Sequence, residues 1–115
     1  MATVVSALIT EIRYQLGDET ATYHWTDVKI VKYINAGQID IYAKRPECVT
    51  LSDTIVDVDP PATISAVTQN VDLRNEYHQA LIFYVCWHCF AEDTDDDANV
   101  AQAKLHKTWY EEAVR

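Results

Sequence analysis

The chain has 115 residues, with 18 acidic and 9 basic side chains and a formal net charge of −9. This length accommodates one domain, residues 1–115, and a hydrophobic content of 49% is enough to build a buried core. Such an acidic chain is not expected to hold nucleic acid by neutralising phosphates or to bind an anionic membrane surface.

The sequence has no features of a secretion signal or a membrane span. Its start lacks a basic region and reaches Glu11 early, and the longest uncharged apolar stretch, residues 77–91, is too short to cross a bilayer. The three cysteines are Cys48, Cys86 and Cys89. An odd number favours buried free thiols in a reducing compartment over a disulfide framework.

Apolar residues at helical spacing predict a first helix over residues 3–16, with Thr3 or Ser6 as its cap and Gly17 after its end.

A second helix is predicted over residues 27–44, between the N-cap candidate Thr26 and the helix breaker Pro46. Gly37 costs this helix about 1 kcal/mol relative to alanine, so we expect another part of the backbone to approach it closely.

The pattern changes between residues 47 and 72, where β-forming residues surround two consecutive prolines. This predicts a small β-hairpin over about residues 48–69. Apolar residues on all sides predict a central third helix over residues 74–92, and a final helix is predicted over residues 96–114. The expected fold is mainly α, an antiparallel bundle of about four helices with the hairpin inserted between the second and third.

The acidic run before the last helix resembles half of a calcium-binding loop. Asp93, Asp95 and Asp97 would occupy its first, third and fifth positions, but Ala98 and Lys104 stand where the loop needs glycine and a bidentate glutamate. Favourable interaction with the dipole of the following helix is the better explanation.

Cys86, His88 and Cys89 invite a metal or thiol-nucleophile interpretation, but His88 does not share a helix face with Cys86, and zinc would need further ligands. His78 lies one helical stretch earlier, and His24, His78 or His106 could complete a site only if the fold happened to bring them close. Phosphate-binding loops and nucleophile motifs are also missing from the sequence. We therefore expect no enzyme, no cofactor and no metal site.

Five residues are candidates for a protein interface: Trp25, Lys29, Lys32, Trp109 and Tyr110. Large aromatic rings often anchor interfaces, although core packing would explain them equally well. The two lysines lie on the one helix where basic residues outnumber acidic ones, and they could meet an acidic partner or simply face solvent.

Five short segments carry a resemblance to a known family. They are IRYQLGD at residues 12–18, WTD at 25–27, YINAGQ at 33–38, EYHQALIFY at 76–84 and FAED at 90–93. In this order they resemble tailed-bacteriophage head-to-tail connector proteins, also called adaptor or head-completion proteins.

The resemblance implies a mainly helical virion protein with a small β element between its second and third helices. Such proteins assemble in the host cytoplasm and form a dodecameric ring in the neck, beneath the portal protein. The ring extends the DNA channel and docks a tail or nozzle protein. It further implies that the last helix, with Trp109 and Tyr110, contacts the portal or a neighbouring subunit.

Twelve copies of this chain would carry a charge of −108 around a channel through which DNA passes without specific binding. The main alternative is a free acidic binding module, such as a DNA-mimic inhibitor or an antitoxin-like partner. A mimic should concentrate its carboxylates on one surface, whereas the acidic residues here are spread through the whole sequence, which favours the ring.

Overall fold

The computed structural model describes residues 3–18, 25–45, 48, 61, 63–71, 73–92 and 97–115. These residues are 75% helical and contain no strand. The elements are α1 Val5–Leu16, α2 Asp27–Lys44, α3 His78–Glu92 and α4 Asp97–Ala113, with a 3₁₀ turn, Asn75–Tyr77, leading into α3. The prediction of a mainly helical chain with four helices is confirmed.

The predicted signals at two helix ends operate as expected. Thr26 is the N-cap of α2, and its hydroxyl accepts a hydrogen bond of 3.3 Å from the backbone N–H of Lys29. Gly17 follows α1 in the left-handed conformation, with φ of 70°, which is accessible to glycine without a steric penalty.

The start of α1 is capped by a distant loop instead of by Thr3 or Ser6. Val4 occupies the N-cap position and supplies no side-chain hydrogen bond. The backbone N–H groups of Val5 and Ser6 instead donate to the carbonyl oxygens of Gln69 and Val67, at 2.8 and 2.9 Å. These bonds satisfy donors that the first turn of a helix leaves free.

The predicted hairpin is not supported by the described part of residues 48–69. Residues 66–69 form bends and turns, and the nearest β-type contact among the described residues is an isolated bridge between Val4 and Asn70, just after the segment. The physical reason is that carbonyl groups expected in a strand ladder accept hydrogen bonds from α1. The first predicted strand falls within residues 49–60, outside the described residues.

Helix α3 lies at the centre and contacts the three other helices. Both α2 and α4 run antiparallel to it. Phe83 packs on Trp109 and Phe90 packs on His106, with ring centroids 5.4 Å apart in each pair. Residues later in α3 therefore contact residues earlier in α4, which means that the two helices are antiparallel. Since α2 and α4 both oppose α3, their C-terminal ends lie at the same end of the molecule.

Gly37 marks the tightest contact of α2 with α3. A Cβ atom at this position would lie 2.7 Å from Leu81 Cδ1 and 2.8 Å from Tyr84 Cδ1. The predicted close approach is therefore present, but side chains of α3 make it, and the backbone of another segment does not. None of the described helices is both long and apolar enough to cross a membrane.

Candidate interaction surfaces

Two of the five interface candidates lie in the core of the chain. Trp25 is 6% exposed and packs edge-on against Phe90. Tyr110 is fully buried, and its hydroxyl donates a hydrogen bond to Asp40 of α2. Of the two explanations that the sequence allowed, core packing accounts for both side chains.

The other three candidates remain at the surface. Lys29 is exposed but forms an ion pair with Glu92 of α3, which also accepts a hydrogen bond from Tyr33, so its acidic partner belongs to the same chain. Lys32 is exposed on the same helix, and Trp109 is 37% exposed.

Trp109 borders a groove of about 550 Å³ between the end of α1, the start of α3 and the end of α4. One side of its ring packs on Phe83 and His106, and the groove is also lined by Gln15, Gln79 and Glu112. The ring is thus fixed by packing while part of it faces outward, as in a side chain available for contact with a second protein.

A buried polar cluster joins the end of α1 to the start of α2. The guanidinium of Arg13, in a residue only 5% exposed, donates to Asp18 Oδ2 at 3.0 Å, to the carbonyl oxygen of Trp25 at 2.9 Å and to Asp27. Asp18 also accepts the backbone N–H of Trp25 at 3.1 Å. Arginine can serve several acceptors at once because its donors lie in a planar fork.

The sequence did not single out Arg13 as a cluster residue. The available signal was its position, because it stands one helical turn after Ile9 on the apolar stripe of α1, where a charged side chain needs buried partners.

Asp40 connects α2 to α4 at the opposite end of α2. It accepts hydrogen bonds from the Tyr110 hydroxyl and, at 2.9 Å, from the Lys44 ammonium group. Burial pushes the pKa of Asp40 upward, but the two hydrogen bonds outweigh it, and the pKa lies below its ordinary value. Burial and the contact with Asp40 raise the pKa of Tyr110.

The thiols have the environment of core residues. Cys48, Cys86 and Cys89 are buried and form no disulfide, and burial raises the pKa of Cys86 to about 12. A thiol that stays protonated at neutral pH is a poor nucleophile and a poor metal ligand. The described residues contain no group of three or more histidine, cysteine or acidic side chains placed to hold a metal ion. Residues 93–96 of the acidic run lie outside them.

The sequence also did not indicate a cleft of about 410 Å³ at the C-terminal ends of α2 and α4. Three cations, Lys44, Lys107 and Arg115, line it together with the ring of Trp87. Lys44 is distant in the sequence from the other two, and the parallel arrangement of α2 and α4 brings them to one cleft.

Comparison of the chain with models of protein families, with curated proteins and with solved structures finds no match.

Proposed function

We propose that the chain is a head-to-tail connector subunit of a tailed bacteriophage, which assembles as a ring beneath the portal and gives the tail a docking surface. The observation that carries this proposal is that the segments resembling the family contact one another in the fold. Arg13 and Asp18 of the first segment share the buried cluster with Trp25 and Asp27 of the second.

The other long segments also meet. Gly37 of the YINAGQ segment packs against Leu81 and Tyr84 of the EYHQALIFY segment. These contacts between the segments support the proposal of a connector-like subunit.

The described surface provides apolar contact sites on separate helices, as a ring subunit requires. Val28 is 82% exposed and Ile39 is also exposed on α2, while Leu105 and Trp109 are exposed on α4. In a ring each subunit presents one face to one neighbour and a different face to the other. Exposed apolar side chains on two helices that flank α3 fit this requirement.

The acidity of the chain suits a channel that DNA must traverse. In the proposed ring, part of the charge of −108 lines or flanks the lumen and repels the phosphates, so that DNA passes without being held. An electrostatic map of the neck in the assembled particle tests this part, and a positively charged channel wall would contradict it.

The ring itself is tested by particle mass and by virion composition. Native mass spectrometry of the purified chain, alone and with the portal protein of the same phage, should detect twelve copies, about 157 kDa of this 13.1 kDa chain. Mass spectrometry of purified virions should find the chain at a constant ratio to the portal protein. A chain that stays monomeric with the portal and is absent from virions would refute the proposal and favour the free acidic binding module.

A pair of variants on α4 sharpens this experiment. Trp109→Ala should reduce ring formation or portal binding, because it removes a large exposed ring, whereas Lys104→Ala, also exposed on α4, should leave both unchanged. Thermal unfolding of each variant separates loss of assembly from loss of folding, since Trp109 also packs on Phe83.

A further inference from the structure

The cleft at the C-terminal ends of α2 and α4 differs in charge from the rest of the chain. Its lining contains the cations Lys44, Lys107 and Arg115 and the carboxylate Glu111, and Asp40 beside it pairs with Lys44, so these side chains together carry +1 on a chain with a net charge of −9. This local positive charge on an acidic chain favours an anionic ligand at the cleft.

Aromatic and apolar groups form the remaining wall of the cleft. The Lys107 ammonium lies 5.7 Å from the centre of the Trp87 ring, and that of Lys44 lies 4.8 Å from the centre of the Tyr110 ring. Val114 completes the apolar lining. Because a ring face accepts no strong hydrogen bond, Lys107 keeps its N–H donors for an incoming carboxylate, and Lys44 keeps those that it does not use on Asp40.

Stabilisation of helix ends explains only part of this arrangement. Lys44 and Arg115 lie where cations complement a helix dipole, but that effect is confined to the last turn and Lys107 lies more than one turn before the end of α4. Lys107 forms no ion pair with any residue that the structure describes. The cleft therefore retains positive charge that the fold itself does not use.

We propose that this cleft binds an acidic peptide segment of the protein that docks on the ring, with an apolar side chain against Trp87 and flanking carboxylates on the cations. The inference rests on the proposed function only for the identity of that partner. Charge complementarity selects a short peptide over nucleic acid, because a long polyphosphate would extend beyond the cleft over a chain whose net charge is −9. The volume of about 410 Å³ suits a few side chains.

The test follows the indole N–H signals of the three tryptophans by NMR while the full chain is titrated with a blocked peptide, Asp-Asp-Leu-Asp-Asp. Trp87→Phe identifies the signal of Trp87, which we expect to shift on binding while that of buried Trp25 stays constant. The neutral peptide Asn-Asn-Leu-Asn-Asn should not bind, and the affinity for the acidic peptide should fall as salt is added.

Charge reversal provides the matched variants. Lys107→Glu should weaken peptide binding at least about ten-fold, whereas Lys104→Glu, on the same helix but outside the cleft lining, should change it by less than about two-fold. Arg115→Glu is a second variant inside the cleft. The unchanged signal of Trp25 verifies that each variant is folded.

Several results would overturn the inference: no shift of the Trp87 signal, equal binding of the neutral peptide, equal effects of the two lysine variants, or tighter binding of a thymidine oligonucleotide. A chain that forms rings but binds no acidic peptide would refute this inference and leave the proposed function standing. A chain that binds the peptide at Trp87 but is absent from virions would refute the proposed function and leave the binding of an acidic peptide standing.

Discussion

The two ends of α2 use their cations in different ways. At the N-terminal end the Arg13 guanidinium is 5% exposed and bonded to Asp18, Asp27 and a backbone carbonyl. At the C-terminal end Lys44 pairs with Asp40 but is roughly half exposed, and Lys107 lies over an aromatic ring with no described ion-pair partner.

The difference separates charges that stabilise the fold from charges that can bind a partner. A buried charge must find its partners inside the chain because desolvation is costly, whereas an exposed cation loses little if it stays unpaired. The N-terminal end of α2 is thus a structural joint, and the C-terminal end is where an outside partner can supply the missing negative charge.

The largest expected effect is at the structural joint. Arg13→Ala removes the guanidinium that pairs with buried Asp18, and breaking such a pair costs about 3–5 kcal/mol of unfolding free energy. Urea unfolding followed by circular dichroism measures the loss. Glu76→Ala, which removes the exposed partner of an ion pair with Arg74, is the control and should cost less than about 1 kcal/mol. Equal losses for the two variants would mean that the buried cluster is not a joint.

The middle of α2 should respond to added volume. Gly37→Ala places a methyl group within 3 Å of atoms of Leu81 and Tyr84, and we expect a net loss of about 1–2 kcal/mol despite the better helix propensity of alanine. Ala36→Gly on the exposed side of the helix isolates the propensity effect, about 1 kcal/mol. A stabilised Gly37→Ala variant would show that α3 shifts away without cost.

The hydrogen bond between α4 and α2 should contribute less. Tyr110→Phe keeps the buried ring but removes the donor to Asp40, and we expect a loss of about 1 kcal/mol in urea unfolding. Tyr14→Phe, at an exposed position on α1, should have no effect. An unchanged Tyr110→Phe variant would show that water replaces the lost donor.

The pH dependence of stability tests both ends of α2 together. Burial opposes ionisation of Glu92 and Asp40, but hydrogen bonds from Lys29 and Tyr33 and from Tyr110 and Lys44 prevail and lower both pKa values. Because the pKa of each carboxyl group is lower in the folded than in the unfolded state, its contribution to the free energy of unfolding is fully present above the ordinary carboxyl pKa, about 4. This contribution falls as the pH decreases below that value.

Alkali should also destabilise the fold. Burial, together with the hydrogen bonds to Glu92 and Asp40, raises the pKa values of Tyr33 and Tyr110. The two tyrosines therefore contribute fully to the free energy of unfolding below the ordinary tyrosine pKa, about 10, and this contribution is lost as the pH rises further. Thermal unfolding between pH 3 and pH 11 should show both declines, each smaller in Tyr110→Phe. A flat profile would contradict these shifts.

The smallest expected effect concerns the reactivity of the three thiols. Cys48, Cys86 and Cys89 are buried, and burial raises the pKa values of Cys86 and Cys89. A thiol reagent such as Ellman's reagent should therefore react slowly with the native chain and rapidly after denaturation. Rapid reaction of a native thiol would reveal local opening.

Helix positions were predictable because their signals are local. Thr26 before α2 and Gly17 after α1 act through hydrogen bonds and backbone conformation within a few residues, and the predicted range of α2 agrees with the structure. The start of α1 was not predictable in this way, because Gln69 and Val67 satisfy its donors from more than sixty residues away. The role of Trp25 was equally undecidable, since a ring next to a helix suits core and surface alike.

The sequence by itself determined the mainly helical class of this protein, its acidity and the bounds of α2, because periodicity, capping and net charge are properties of neighbouring residues or of the whole chain. Only the tertiary structure decided which aromatic rings are buried and that Arg13 joins two helices. It also decided that Lys44 and Lys107 meet beside Trp87. Those outcomes depend on how the helices pack, because packing brings together residues that are far apart in the sequence and whose contact no local pattern predicts.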